Sequence, residues 1–290
     1  MFDLLITAEQ LQKNLPNRNW LVFDVRHDLA DHSAGRKAYQ QGHIPGALYL
    51  DHEEQLSAPK TGSNGRHPLP ERADFMALMR SQGLTQQTQV VVYDSGNSMF
   101  AAHLWWMLRW IGHEKVAVLD GGWQAWLAAG AQVEEGSNSA RLTEAQAVQG
   151  VNMPGAAAMP VVDAQAVLEN LSNPVFTVLD ARAAERYLGH VEPMDPVAGH
   201  IPNALNRPNG LNLQQDGRFK PAEELKQDFE ALLQGRQPEQ IVHQCGSGIT
   251  ACHNLFAMEL AGLTGSALYP GSWSEWCSDP GRPMVRADKA

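Results

Sequence analysis

Cysteine is scarce in this chain: Cys245, Cys252 and Cys277 are the only three among 290 residues. An odd and low count in a chain of this length does not build a disulfide framework, so a reduced thiol is expected to be available for chemistry. Zinc-binding spacings are missing as well. Neither a Cys-x-x-Cys pair nor a His-x-x-x-His pair occurs among the three cysteines and eleven histidines, so no metal is expected. The glycines form no nucleotide motif of the phosphate-loop type. No apolar run approaches the ~18 residues that a membrane span needs. The opening Met1-Phe2-Asp3-Leu4-Leu5 lacks the basic flank and long apolar region of a signal peptide, and a cytoplasmic location is the expectation. Positive charge is also in deficit, 22 Lys and Arg against 32 Asp and Glu, a formal −10. That balance argues against nonspecific binding to nucleic acid or anionic membrane. An anionic substrate would need a local positive site.

What is present is a plan written twice, with a repeat of roughly 155 residues that is too long for a solenoid. Leu21-Val22-Phe23-Asp24-Val25-Arg26 reappears as Thr177-Val178-Leu179-Asp180-Ala181-Arg182. Gly42-His43-Ile44-Pro45 reappears as Gly199-His200-Ile201-Pro202, and Val90 to Tyr93 reappears as Ile241 to His243. Lastly, Gly122-Trp123-Gln124-Ala125-Trp126 matches Ser272-Trp273-Ser274-Glu275-Trp276. Within each half, short β-branched runs alternate with helical stretches such as Met99 to Ile111 and Cys252 to Leu260. That alternation predicts an α/β fold of two tandem domains, each a mostly parallel sheet flanked by helices, with ligands at the carboxyl ends of the strands. The expected boundaries are 1–135 for a catalytically silent domain, 136–158 for a linker rich in Ala, Gln and Ser, and 159–290 for a catalytic domain.

The duplication also separates fold from chemistry. Features in both halves (Asp24 and Arg26 with Asp180 and Arg182, His43 with His200, the paired tryptophans) are read as structural. The turn after the fourth matched strand differs between halves. The second half reads Cys245-Gly246-Ser247-Gly248-Ile249-Thr250, where the first reads Asp94-Ser95-Gly96-Asn97-Ser98 with no thiol. A cysteine between strand and helix, followed by two glycines in three residues, sits where backbone N–H groups can curl around its sulfur and the helix dipole adds positive potential. Comparable sites lower a cysteine pKa from ~8.5 into the range ~3.5 to 7.5. The alternative is a buried packing cysteine, which is the reading preferred for Cys252 and Cys277. A phosphatase loop would carry an arginine six residues after the cysteine, and that position is Ala251.

These motifs, together with the Gly-Ser-Trp-Ser-Glu-Trp stretch at Gly271 to Trp276, resemble the tandem-domain rhodanese family over nearly the whole chain. The six-residue loop is similar to the mercaptopyruvate sulfurtransferase version more than to the thiosulfate version, which carries basic residues after the cysteine. The resemblance implies a double displacement: Cys245 takes a sulfur from a small anionic donor, holds it as a persulfide, and passes it to cyanide or a thiol acceptor such as thioredoxin or a small thiol. No metal or organic cofactor is implied. The resemblance also places a donor-holding arginine at Arg186, whose counterpart in the first half is Ala30. Mercaptopyruvate enzymes commonly have a second arginine nine residues on, where this chain has Asp195, leaving Arg207 as a possible substitute. It further implies a serine-protease-like trio of Ser247, His67 and Glu53, the last two from the silent half, with Glu where Asp is usual. Gly246, Gly248, Ile249 and Thr250 complete the expected substrate-binding loop. The donor stays open between mercaptopyruvate and thiosulfate, and a persulfide carrier module is the third reading.

Overall fold

The computed structural model describes residues 1–138 and 159–287; of the linker expected over 136–158, all but the first three residues lie outside them. The chain divides into two compact units. The first comprises Met1–Ala58, Pro70–Ala158 and Gln215–Phe219, the second Pro59–Leu69, Met159–Gln214 and Lys220–Ala290. Each half therefore lends a segment to the other's unit, which the boundary at 135 did not foresee.

In the first unit the strands are β1 (Leu5–Ile6), β2 (Trp20–Asp24), β3 (Leu48–Tyr49), β4 (Gln89–Tyr93) and β5 (Val116–Leu119). They form one parallel sheet in the order β1-β5-β4-β2-β3. The helices are α1 (Ala8–Asn14), α2 (Ala34–Gln41), α3 (Arg72–Ser81), α4 (Met99–Trp110) and α5 (Gly122–Ala128). Every residue of β2 and β4 is buried, which is why both read as unbroken apolar runs without alternation. Helix α4 is apolar almost all round and correspondingly buried. Helix α1 starts at Thr7, whose hydroxyl accepts from the Gln10 amide in a capping box.

The second unit repeats the plan with β6 (Thr177–Asp180), β7 (Leu205–Asn206), β8 (Ile241–Gln244) and β9 (Ala267–Leu268), parallel in the order β7-β6-β8-β9. Where β1 flanks β5 in the first unit, a single bridge from Val161 to Leu268 stands here. Its helices are α6 (Ala164–Ser172), α7 (Ala184–Tyr187), α8 (Ala222–Leu233), α9 (Ile249–Leu260) and α10 (Ser272–Trp276). Helix α9 begins three residues before the expected Cys252, because Gly248, with φ +89°, turns the chain into the helix immediately.

The duplicated residues do duplicate structural work. Arg26 grips the carboxylate of Asp24 and the carbonyl of Gly42; Arg182 grips Asp180 and the carbonyl of Gly199. Each guanidinium lies over a tryptophan, Arg26 4.6 Å from the Trp123 ring and Arg182 4.7 Å from Trp273. His43 stacks on Tyr39 and His200 on Tyr187, each with Nδ1 2.7 Å from that tyrosine's carbonyl oxygen. Trp126 and Trp276 are fully buried and donate their indole N–H groups to the carbonyls of Gln132 and Pro283.

Candidate active site

Cys245 is the first residue after β8, at the carboxyl end of the second unit's sheet, where open parallel sheets bind ligands. Its loop is fastened on both sides. The Cys245 amide donates to the Ser272 hydroxyl at 3.0 Å, and the Cys245 and Gly246 carbonyls accept from the Trp273 and Ser274 amides at the start of α10. Gly248 must be glycine: its φ is positive, and a Cβ there would lie 2.5 Å from the Pro270 carbonyl oxygen. Cys245 is buried, as are Cys252 and Cys277, and all three are free thiols. Burial pushes the Cys252 thiol well above its ordinary value, with the charge of Cys245 acting the same way. Burial, then the charge of Asp195, pushes Cys277 up to about 11.

The first unit explains what such a loop is built to hold. Asp94 stands where Cys245 stands, since the Trp123 amide donates to the Asp94 carbonyl as the Trp273 amide donates to that of Cys245. The Asp94 carboxylate accepts from the amides of Gly96, Ser98 and Phe100 at 3.0 Å each and of Ala101 at 3.2 Å. Complete burial raises its pKa, and these four amides work against that rise. A loop of this design gathers backbone N–H groups on one anion.

Two guanidinium groups crowd the Cys245 loop. A Cβ on Gly246 would lie 2.6 Å from Arg66 Nη2 and 3.5 Å from Arg186 Nη1, so both guanidinium ends reach the backbone of this loop. The two arginines are tied together by the buried Asp195, which pairs with Arg66 Nη1 and, at 3.2 Å, with Arg186 Nη2. Arg186 also holds Glu192 at 2.7 Å. Burial would raise the Glu192 carboxyl, but the hydrogen bond from Arg186 and the amides of Met194 and Asp195 hold it below the usual range. Arg182 likewise keeps its charge despite burial, because Asp180, Glu192 and the Cys245 side chain outweigh the desolvation.

Ser247 and His67 meet in this unit: the hydroxyl lies 2.7 Å from His67 Nδ1, with both side chains buried. His67 was expected to approach from the silent half. It belongs to segment 59–69, which packs within the second unit, with the Arg66 amide donating to the Ser274 hydroxyl and Gly65, at φ +89°, set against Gly271. Glu53 belongs to the first unit, where its carboxylate lies 3.7 Å from His32 Nδ1. Arg207 is committed elsewhere. Its guanidinium bonds to Asn212 at 2.9 Å and Asp228 at 3.1 Å and lies over the Phe229 ring of α8. The sequence reading missed Arg66. The available signal was Asp195, a carboxylate that pairs with both Arg66 and Arg186.

Comparison with known proteins agrees with this geometry. Residues 7–129 and 163–279 each match the rhodanese-like domain family. A Pseudomonas aeruginosa "probable 3-mercaptopyruvate sulfurtransferase" is 48% identical over 286 residues, covering 98% of both chains. An Arabidopsis thaliana thiosulfate/3-mercaptopyruvate sulfurtransferase is 34% identical, covering 97% of this chain and 86% of its own. The crystal structure of the Escherichia coli 3-mercaptopyruvate enzyme SseA superposes with a TM-score of 0.75 at 31% identity, over 94% of this chain and 99% of that one. With two matched domains, a parallel sheet in each and a cysteine loop in the second, the chain belongs to the rhodanese family of sulfurtransferases.

Proposed function

We propose that this protein moves sulfur from 3-mercaptopyruvate through a persulfide on Cys245 to a thiol acceptor or cyanide, releasing pyruvate. The observation that carries the choice of donor is the 2.7 Å contact between Ser247 and His67 beside Cys245. In the first half-reaction the Cys245 thiolate attacks the donor's sulfur, an S–S bond forms, and the C–S bond breaks with its electron pair passing to a pyruvate enolate. That carbanion must gain a proton, and a hydroxyl backed by an imidazole is suited to deliver it. Thiosulfate would leave as sulfite, with no carbon to protonate. In the second half-reaction the acceptor thiolate attacks the outer sulfur, and the Cys245 thiolate is released. Loop amides of Gly246, Gly248, Ile249 and Thr250 are the proposed cradle for the persulfide anion, in the manner of the amides around Asp94. Arg186 and Arg66 are the proposed holders of the donor's anionic end. Three free cysteines suit the reducing cytoplasm. Among the described residues no helix is long and apolar enough to cross a membrane.

One observation favours thiosulfate as a second reading: paired guanidinium groups would hold a sulfonate-like end as readily as a carboxylate. Measuring kcat/KM on both donors, for the parent and for Ser247→Ala, decides between them. The proposal expects a preference for mercaptopyruvate and a selective loss of about 10²-fold or more on that donor in the variant. Equal loss on both donors, or a parent preference for thiosulfate, would overturn it.

A further inference from the structure

The first unit lacks a thiol, yet the carboxyl ends of its strands are not bare. His27 lies three residues beyond the end of β2, and His52 and Glu53 lie just beyond β3, opposite Phe100 and His103 on the first turns of α4. The rings cluster: His27 lies 5.6 Å from both His32 and His52, and His52 lies 5.3 Å from His103. One ligand atom from each of His27, His32 and Glu53 falls within 4.8 Å of the others. His27 is 8% exposed, and neither of its ring nitrogens has a hydrogen-bond partner among the described residues. A buried imidazole is ordinarily partnered, and its orphaned nitrogens call for a ligand.

We propose that His27, His32 and Glu53 form a binding site for a zinc-type divalent cation, placed in the first unit where the second unit carries its cysteine loop. Two imidazoles and a carboxylate, with a fourth position left to water, are a standard donor set for such an ion. At metal–ligand distances of ~2.0 to 2.1 Å, tetrahedral ligand atoms stand roughly 3.3 Å apart. His32 Nδ1 and Glu53 Oε1 are already 3.7 Å apart, and the His32 side chain, 60% exposed, is free to make up the difference. Asp51, Glu53 and Asp28 supply the negative field a cation needs. The spacing His27 to His32 is one residue longer than the helical zinc pattern, and the site is assembled from separate loops, so no local motif announces it.

Glu53 is also the carboxylate that the family resemblance places beside His67, so turnover is the wrong readout for this site. The test is equilibrium dialysis of the full, untagged chain against Zn²⁺, carried in a Cys245→Ala background to remove the reactive thiol, with Co²⁺ absorption reporting the ligand field. One ion per chain is expected with Kd of about 10 µM or tighter, weakened about tenfold or more by His27→Gln, His32→Ala or Glu53→Gln and unchanged by His190→Gln at an exposed position. His32→Ala decides alone should the buried His27 variant fail to fold, since the His32 side chain is 60% exposed. Absence of stoichiometric binding at about 100 µM, or binding undiminished in His32→Ala, would overturn the proposal. Neither result bears on sulfur transfer by Cys245.

Discussion

The surroundings of each sulfur sort the three thiols. Cys252 and Cys277 are both held above their ordinary pKa by burial, so at neutral pH each stays a protonated, poorly nucleophilic thiol. Cys245 alone opens a glycine turn at the start of a helix and beside two arginines. Cys245→Ser is therefore expected to abolish sulfur transfer, and incubation of the parent with donor should add one sulfur mass to the peptide containing Cys245. Mass mapped to Cys252 or Cys277 would sink the mechanism. Arg66 gives a second expectation. Replacing it with glutamine removes one of the two cations near Gly246, while Asp195 keeps its bond to Arg186 and is not left as an unpaired buried charge. Losing a charged hydrogen bond of ~1.5 to 3 kcal/mol predicts a fall in kcat/KM of about 10- to 100-fold, mainly in KM. The unfolding midpoint should barely move. A destabilised protein with unaltered kinetics would instead make Arg66 a structural strut.

At the scale of elements, the instructive pair is the turn after β4 and the turn after β8. The two are one design: the loop amides gather on the Asp94 side chain at the position that Cys245 takes in the other copy. Asp94→Ala strips the acceptor from four amides, three of them buried, and leaves nothing to replace it. A cost of roughly 3 to 5 kcal/mol is expected, read as a lower urea midpoint at unchanged m-value. Sulfur transfer by the fraction that folds should be near normal. Sequence alone shows Asp94 only as the missing thiol, since its role comes from amides contributed by its own loop and is invisible until the loop is folded. The sheets were legible because β2 and β4 are buried and carry solid apolar runs, Leu21-Val22-Phe23 and Val90-Val91-Val92, and β8, which ends in His243 and Gln244, was legible as the repeat of β4. The repeat exposed Asp24 with Arg26 and Asp180 with Arg182 as structural pairs for the same reason, that the constraint is local and written twice. Segment 59–69 was not legible. It is irregular, bracketed by Pro59, Pro68 and Pro70, and joins its unit through a few polar contacts with no periodicity to betray them. Spacing along the chain could not reveal that Arg66 joins Arg186 beside Gly246.

For the molecule as a whole, two buried histidines with strongly lowered pKa values, His113 in the first unit and His243 in the second, add to its response to acid. His113 is held down to about 4, by burial first, against hydrogen bonds involving the backbone of Lys115 and Thr88. His243, inside β8 and 3.1 Å from the Ser266 hydroxyl, is held down to about 3 by burial. In the unfolded chain both revert to about 6.5 and take up a proton that the folded state refuses. The unfolded state thus binds more protons below that pH. The stability these groups contribute is complete above about pH 6.5 and is lost progressively as pH falls toward 4 and then 3. Between pH 6.5 and about 5, each histidine should cost about 2 kcal/mol. Asp94 and Asp120, whose carboxyls burial raises, act in the opposite sense over the more acidic part of the range, so they cannot be the source of such a loss. Urea unfolding across this window should show the midpoint falling with pH in the parent. In the double variant His113→Gln, His243→Gln, the starting stability should be lower but the fall between pH 6.5 and 5 should be clearly smaller. A slope that persists unchanged in the double variant would mean that other groups, and not these two buried imidazoles, govern how the protein yields to acid.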